Sequence, residues 1–390
     1  MRIAMVSLSF SEAGFSASYR AIKFAKYFLR AGHIVDIITA TEVSSELQSM
    51  RSSGLNIIQV PYRQPRGMTV RIMNRLFVLP EPSRAWARKV VRHVEPRFKD
   101  NLPDVLFVTT PPHSVQMAGV ELSQRLNVPY FADMRDDWLG NWRYRWHTPV
   151  HRMVAKRCER LIVSAASCIN LNTGIVKKRF EERYPQFIYK IHGITNGFDE
   201  EEFRPEPQRT MIDPDGRKIL LYAGGSYGRF MSTLLSSVVE KMKEKRLHRY
   251  WRIVTAGQEM TPPDEYKDVW KHLGMLDSRE VSLAMSEADC LLLVMPPGEQ
   301  EPSGTVPLKA YQYLRSGSAI VYLGERGSTT ELIEQFDGTF SWPRQQWPKL
   351  IELFENHPEQ MARKYQRPNI GRYSFKTLAE NMLSLFEKYR

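Results

Sequence analysis

The sequence predicts an α/β protein made of two parallel-sheet domains, and three observations carry that expectation. Short apolar runs alternate with amphipathic helical patterns along almost the whole chain, as in repeated βαβ units. Residues 199–215 interrupt the alternation with acids and three prolines and no periodic apolar face, which reads as an interdomain connection. The length, 390 residues, suits two domains of ordinary size.

Taken in order, residues 2–8 are a strand and residues 18–31 a helix whose Ile22, Ala25 and Leu29 share one face. Gly32 and His33 end that helix, and residues 34–38 are the next strand. Strands follow at 105–109, 129–132 and 169–171, with a helix at 115–126. A second series opens with strand 218–222 and continues through 251–255, 290–294 and 319–323. Residues 1–200 are therefore expected to form the first domain and residues 201–373 the second, with a C-terminal helix, residues 374–390, returning to the first. The predicted architecture is two Rossmann-like domains facing each other across a cleft.

Composition narrows the class. At 42% hydrophobic and 25% charged residues the chain can bury sizeable cores, which excludes disordered and collagen-like proteins. Cys158, Cys168 and Cys290 are odd in number and lack CxxC spacing, which argues against a disulfide framework and structural zinc and for a reducing cytosol. The longest uncharged stretch, residues 161–176, falls short of the roughly 20 apolar residues that span a bilayer. It reads as a helix end followed by a strand, and the N-terminus reads as a first strand, not a signal peptide. With 55 Lys+Arg against 43 Asp+Glu the formal charge is +12, which calls for an anionic partner.

The first βα turn, residues 9–15, holds a single glycine, Gly14, and no GxGxxG, so a dinucleotide is not expected there; the turn borders an acceptor pocket or is a plain loop. The matching turn of the second domain, Tyr222-Ala223-Gly224-Gly225-Ser226-Tyr227-Gly228-Arg229, leads into a helix. Free N–H groups at Gly225 and Ser226, the helix dipole and Arg229 together make an anion site.

A third stretch runs Glu301-Pro302-Ser303-Gly304-Thr305-Val306-Pro307-Leu308-Lys309-Ala310-Tyr311-Gln312-Tyr313-Leu314-Arg315-Ser316-Gly317, and Glu331 follows the next strand. Here the chain resembles family 4 glycosyltransferases of the GT-B fold, in the subgroup carrying a Gly-Thr-x-Pro-x-Lys motif. Two first-domain segments add to the resemblance. Pro111-Pro112-His113-Ser114 and Asp133-Met134-Arg135-Asp136-Asp137-Trp138 are similar to the Pro-Pro-His-Ser and Asp-x-Arg-Asp-x-Trp motifs of one branch, and Asn196-Gly197-Phe198-Asp199 to the motif that closes its first domain.

The resemblance implies transfer of a sugar from a nucleotide diphosphate sugar with retention, no metal and no cofactor beyond that co-substrate. It gives Lys309 and Arg229 to the diphosphate, Glu301 to donor-sugar hydroxyls, and Ser303, Gly304 and Thr305 to the donor loop. Gln312 stands where the family carries a ribose-binding Glu, and Glu331 caps its helix or reaches the ribose. His113, Asp133, Arg135 and Asp136 are the expected catalytic set, the alternative for the last three being an Arg–Asp pair that braces the loop. Gly14 and Trp138 fall on the acceptor side.

Residues 63–99 hold ten basic residues and two acids, interleaved with apolar ones. Such a segment suits an anionic membrane surface, and Trp138, Trp142 and Trp146 at four-residue spacing suit such an interface or a sugar-stacking rim. The expected partners are thus a nucleotide sugar, a glycan or lipid-linked acceptor of surface polysaccharide synthesis, and the inner face of the membrane, and no nucleic acid, for want of a recognition module. A nucleotide-sugar epimerase of the same fold, a non-catalytic scaffold and a nucleic-acid-binding protein are the competing readings.

Overall fold

A computed structural model describes the chain apart from residues 12–14, 63–66, 69–71, 73–78, 141–145, 147, 204–214, 226, 228 and 297–302, and apart from the side chains of residues 15–17. The strands are β1 (Arg2–Val6), β2 (Ile34–Thr39), β3 (Leu55–Gln59), β4 (Val105–Thr110), β5 (Tyr130–Met134), β6 (Cys168–Leu171), β7 (Ile191–Gly193), β8 (Lys218–Gly224), β9 (Trp251–Gly257), β10 (Trp270–His272), β11 (Cys290–Val294), β12 (Ala319–Leu323) and β13 (Thr339–Trp342). The longer helices are α1 (Phe15–Arg30), α2 (Ser83–Phe98), α3 (Gln116–Leu126), α4 (Pro149–Ala165), α5 (Gly174–Arg183), α6 (Arg229–Glu244), α7 (Ser278–Glu287), α8 (Leu308–Ser316), α9 (Ser328–Ile333), α10 (Pro348–Asn356) and α11 (Phe375–Tyr389).

The chain divides into two compact units, Met1–Asn196 with Phe375–Arg390, and Gly197–Ser374. The first holds a seven-stranded sheet in the order β3-β2-β1-β4-β5-β6-β7, the second a six-stranded sheet in the order β10-β9-β8-β11-β12-β13. Every paired strand in both is parallel. Strand order reverses between β1 and β4 in one sheet and between β8 and β11 in the other. Helix connections diverge at such a reversal and leave a crevice outside the carboxyl ends of the strands, where open α/β sheets take their ligands.

Parallel sheets need cover on both faces, so the central strands read as unbroken apolar runs. One face of the first sheet lies under α2, α3, α4 and α5, whose Val90, Ala118, Ile162 and Phe180 join Ala4, Leu106 and Ala132 in one core. The other face explains the return of the C-terminus. On α11, Phe386 sits 4.6 Å from the Phe131 ring and 5.5 Å from Phe107, while Phe375 contacts Tyr19 and Phe24 of α1. In the second unit α6 and α10 cover one face of the sheet and α7 and α8 the other.

All four strands the sequence pattern missed, β3, β7, β10 and β13, are sheet edges. They run only three to five residues and are partly exposed, so no apolar run marks them.

Candidate functional site

The second unit carries the first candidate centre, at its sheet's reversal point. Strand β8 ends on Gly224-Gly225, beside the end of β9 at Gly257. Gly257 has φ +121°, and a Cβ there would stand 2.4 Å from the Gly224 carbonyl oxygen, so only glycine lets the two strand ends meet. Two tyrosines fix the turn: the Tyr222 hydroxyl donates to the Gly225 carbonyl at 2.7 Å, and the Tyr313 hydroxyl accepts from Ala223 N at 3.0 Å. Arg229 then opens α6 and is exposed. Ser226 lies outside the described residues, as does Glu301.

Lys309 reaches this turn from the first turn of α8. Its stem is partly exposed, but Nζ is sealed from solvent, 4.2 Å from the Tyr222 ring centroid, and a Cβ at Gly224 would come within 2.8 Å of it. Among the described residues Nζ has no hydrogen-bond partner, and burial pushes its pKa down to about 7. A buried amine that is neither paired nor hydrogen-bonded is costly, and an anion is the ligand that relieves it. One turn further along α8, Gln312 is also buried, and its Nε2 likewise has no partner among the described residues. At positions i and i+3 the two side chains lie on one side of the helix.

The donor loop is braced more than it is open. Ser303 pairs with Gly327: Ser303 N donates to the Arg326 carbonyl, Ser328 N donates to the Ser303 carbonyl, and the Ser303 hydroxyl accepts from Thr305 N. Buried Ser303 thus braces the loop against Gly327. Gly304 and Thr305 are half-buried, and the Thr305 carbonyl accepts from the Thr329 hydroxyl. The expected cap by Glu331 is corrected: Thr330 Oγ1 accepts from Gly327 N at 3.0 Å, while Glu331 is exposed on the first turn of α9.

The first unit brings its motifs together at the ends of β4 and β5. Asp133 is fully buried and its carboxylate accepts from Arg20 Nε and Nη2, both at 2.9 Å, from Thr109 Oγ1 at 2.6 Å and from Asn170 Nδ2 at 2.6 Å. Burial pushes the Asp133 carboxyl up, but Arg20 and these donors outweigh it and hold it below the usual range. Arg20 also donates to the carbonyls of Ile194 and Thr195. Asp133 therefore braces strand ends, with Arg20 as its partner, and does not face a ligand. The sequence does carry a trace of this: Arg20, Lys23 and Lys26 recur every three residues on α1 amid apolar ones, and all three are buried, the two lysines against Glu46.

His113 and Trp138 form a second cluster around a residue the sequence reading passed over. Glu81 accepts from Trp138 Nε1 at 3.0 Å, from Ser114 N at 3.1 Å and from Ser114 Oγ at 2.9 Å. Burial raises its pKa despite these donors. Trp138 is fully buried and stacks on His113 at 5.3 Å, so it is no exposed acceptor-side rim, which corrects that expectation. Its spacing of four residues to Trp142 and eight to Trp146 imitates a helix although Trp138 lies in a turn. His113 is fully buried too; burial first and the positive charge of Arg135 second push its pKa down to about 3. Its ring is therefore expected to stay neutral, and its carbon-bound protons should show no titration between pH 5 and 9 in an NMR series. Arg135 and Asp136 are half-buried at the strand end. Gly14 and Trp142 lie outside the described residues.

The basic segment is corrected in its second half. Helix α2 buries Trp86, Val90, Val91, Val94 and Phe98 in the domain core, leaving Arg88, Lys89, Arg92 and Arg97 as a solvated face without apolar partners. Most of its first half lies outside the described residues. Among the described residues, no three His, Cys, Asp or Glu side chains are grouped so as to hold a metal ion, and no helix is long and apolar enough to cross a membrane.

No protein-family model matches the chain, and no curated protein matches its sequence. Solved structures do. Anabaena HepE, crystallised in complex with UDP and glucose, is similar at TM-score 0.66 and 13% identity over 99% of both chains. Sucrose-phosphate synthase from Thermosynechococcus elongatus matches at TM-score 0.67 and 16% identity, over 100% of this chain and 98% of that one. The UDP-GlcNAc 2-epimerase from Methanocaldococcus jannaschii matches at TM-score 0.61 and 12% identity over 100% of both. With its seven- and six-stranded parallel sheets, the chain has the two-domain GT-B fold.

Proposed function

We propose that this chain is a retaining, family 4-like glycosyltransferase that moves a sugar from a nucleotide diphosphate sugar to a glycan or lipid-linked acceptor of surface polysaccharide synthesis, at an anionic membrane surface. The observation that carries the reading is Lys309 Nζ, sealed beside the Gly224-Gly225 turn over the Tyr222 ring, with no hydrogen-bond partner among the described residues. A diphosphate set there would meet the amine and the N-terminal end of α6, which Arg229 opens. As the bond from the anomeric carbon to the diphosphate breaks, negative charge grows on the leaving oxygen. A fixed cation and an aligned helix dipole stabilise that charge where it develops.

Lys309 suits this role twice over. Empty, the amine is held near the edge of deprotonation by burial; beside a diphosphate the charged form is favoured again. Gln312, with a buried Nε2 to donate, is assigned to the ribose hydroxyls. Arg135 and Asp136, the two members of the first-unit motif still partly exposed, are the groups left to orient an acceptor. That HepE was crystallised with UDP and glucose supports a nucleotide-sugar donor for this fold.

A thermal-shift panel of UDP-, GDP- and ADP-sugars with their free diphosphates tests the donor. One nucleotide series is expected to raise the midpoint, since a ligand at about 100 times its Kd stabilises by about 2.7 kcal/mol. No shift with any member of the panel would sink the proposal.

A further inference from the structure

Helix α4 carries two stripes. Thr148 caps it, Pro149 starts it, and His151, Ala155, Cys158, Glu159, Ile162 and Val163 are buried. The opposite side exposes Val150 at 47%, Met153 at 65% and Leu161 at 44% of their full surface. Arg157 and Arg160 fall between these apolar residues at helical three- and four-residue steps, and Arg152 and Lys156 flank them, all four exposed. The helix has a single acid, Glu159, and it is turned inward to Arg183 and Tyr184. Among the described residues none of the four cations is drawn into an ion pair. The exposed side of α4 is therefore purely cationic and partly apolar.

Those two properties together select the partner. Duplex nucleic acid meets cations but has no use for Met and Val standing between them. The headgroup region of an anionic bilayer takes both, cations at the phosphates and short apolar side chains at the acyl boundary. The contrast lies within the same unit: α2 exposes Arg88, Lys89, Arg92 and Arg97 but no large apolar side chain. We infer that the Val150-Met153-Arg157-Leu161 side of α4 is the surface by which this protein docks on an anionic membrane. The inference rests on the membrane part of the proposed function and is independent of the transfer chemistry.

The test is sedimentation of the full chain with phosphatidylcholine vesicles, with and without phosphatidylglycerol. Wild type should partition to the anionic vesicles only and be released by salt. Reversing Arg152, Lys156, Arg157 and Arg160 to Glu should cut partitioning at least about 100-fold, since each cation near such a surface contributes about a factor of five. Met153→Asp should also weaken it, and reversal of Arg88, Arg92 and Arg97 should cost much less. Circular dichroism should show all variants folded, because the residues are exposed, and nucleotide-sugar binding should survive the α4 changes, which separates a failure here from a failure of the donor reading.

Three results would overturn the inference: no partitioning by wild type, equal losses from the α2 and α4 reversals, or indifference to Met153→Asp. So would light scattering in which Met153→Asp converts a dimer to a monomer, which would assign the face to a second copy of the chain.

Discussion

Replacing Lys309 with methionine is expected to raise the stability of the free protein while removing most of its affinity for a nucleoside diphosphate. The two effects share one cause. The amine is sealed at the Gly224 turn with no hydrogen-bond partner among the described residues, and burial brings its pKa from 10.5 to about 7. At about 1.4 kcal/mol per pKa unit the cost of keeping the charge there is on the order of 5 kcal/mol. The sign follows from proton counting. Between pH 7 and 10.5 the unfolded chain keeps a proton that the folded chain gives up, so the stability of wild type rises with pH across that window. Below pH 7 the full penalty is present. The thioether that replaces the amine cannot titrate, so the variant's advantage should be largest at pH 6 to 7 and shrink toward pH 10.

Methionine also matches the stem in length and leaves no cavity. Loss of a charged contact to a diphosphate should weaken binding about 100-fold or more. Thermal unfolding at pH 6.5 and 9.5, with calorimetric titration of the diphosphate, reads both effects. A variant that is less stable at pH 6.5, or that binds as tightly as wild type, would remove Lys309 from the site.

Arg20→Ala should be the most destabilising single change in the first unit, at about 3–5 kcal/mol, because it strands a buried carboxylate. Asp133 would keep Thr109 and Asn170 as donors but lose both Arg20 contacts, and the Ile194 and Thr195 carbonyls would lose theirs. In wild type the depressed Asp133 pKa gives stability that is present above the unfolded carboxyl's pKa and lost as pH falls below it. Without Arg20, burial is expected to outweigh the two remaining donors and raise that pKa, so the variant should be hurt most at neutral pH and least in acid. The double change Arg20→Met with Asp133→Leu should recover much of the loss, since an apolar pair carries no desolvation penalty. Urea unfolding at pH 4.5 and 7 checks this. An Arg20→Ala protein as stable as wild type, or a double variant weaker than the single one, would contradict the buried-pair reading.

These two centres differ in how far the sequence discloses them. The Lys309 centre lies within two short segments, each a strand end with its following turn and helix, so spacing and glycine content expose it. The Asp133 centre joins residues 113 positions apart, and nothing local marks Arg20 as the partner. Its motif therefore reads as catalytic although folding spends the carboxylate internally. Glu81 escapes notice for the same reason: its donors on Ser114 and Trp138 lie 33 and 57 positions away. Trp138 shows the opposite error, a helical spacing that starts from a residue in a turn. The fold was more legible than the sites because buried central strands such as β1, β4 and β11 must be apolar throughout. Edge strands such as β10 and β13 carry no such requirement.

The most direct test of the central claim follows a label placed on the sugar of the nucleotide sugar that the thermal-shift panel selects. With a saccharide or lipid-linked acceptor from the native membrane, the label should move to the acceptor as nucleoside diphosphate is released in equal amount, and Lys309→Met should abolish the transfer. Conversion to a different nucleotide sugar when no acceptor is present would mean an epimerase, and an untouched donor would mean no enzyme of this class.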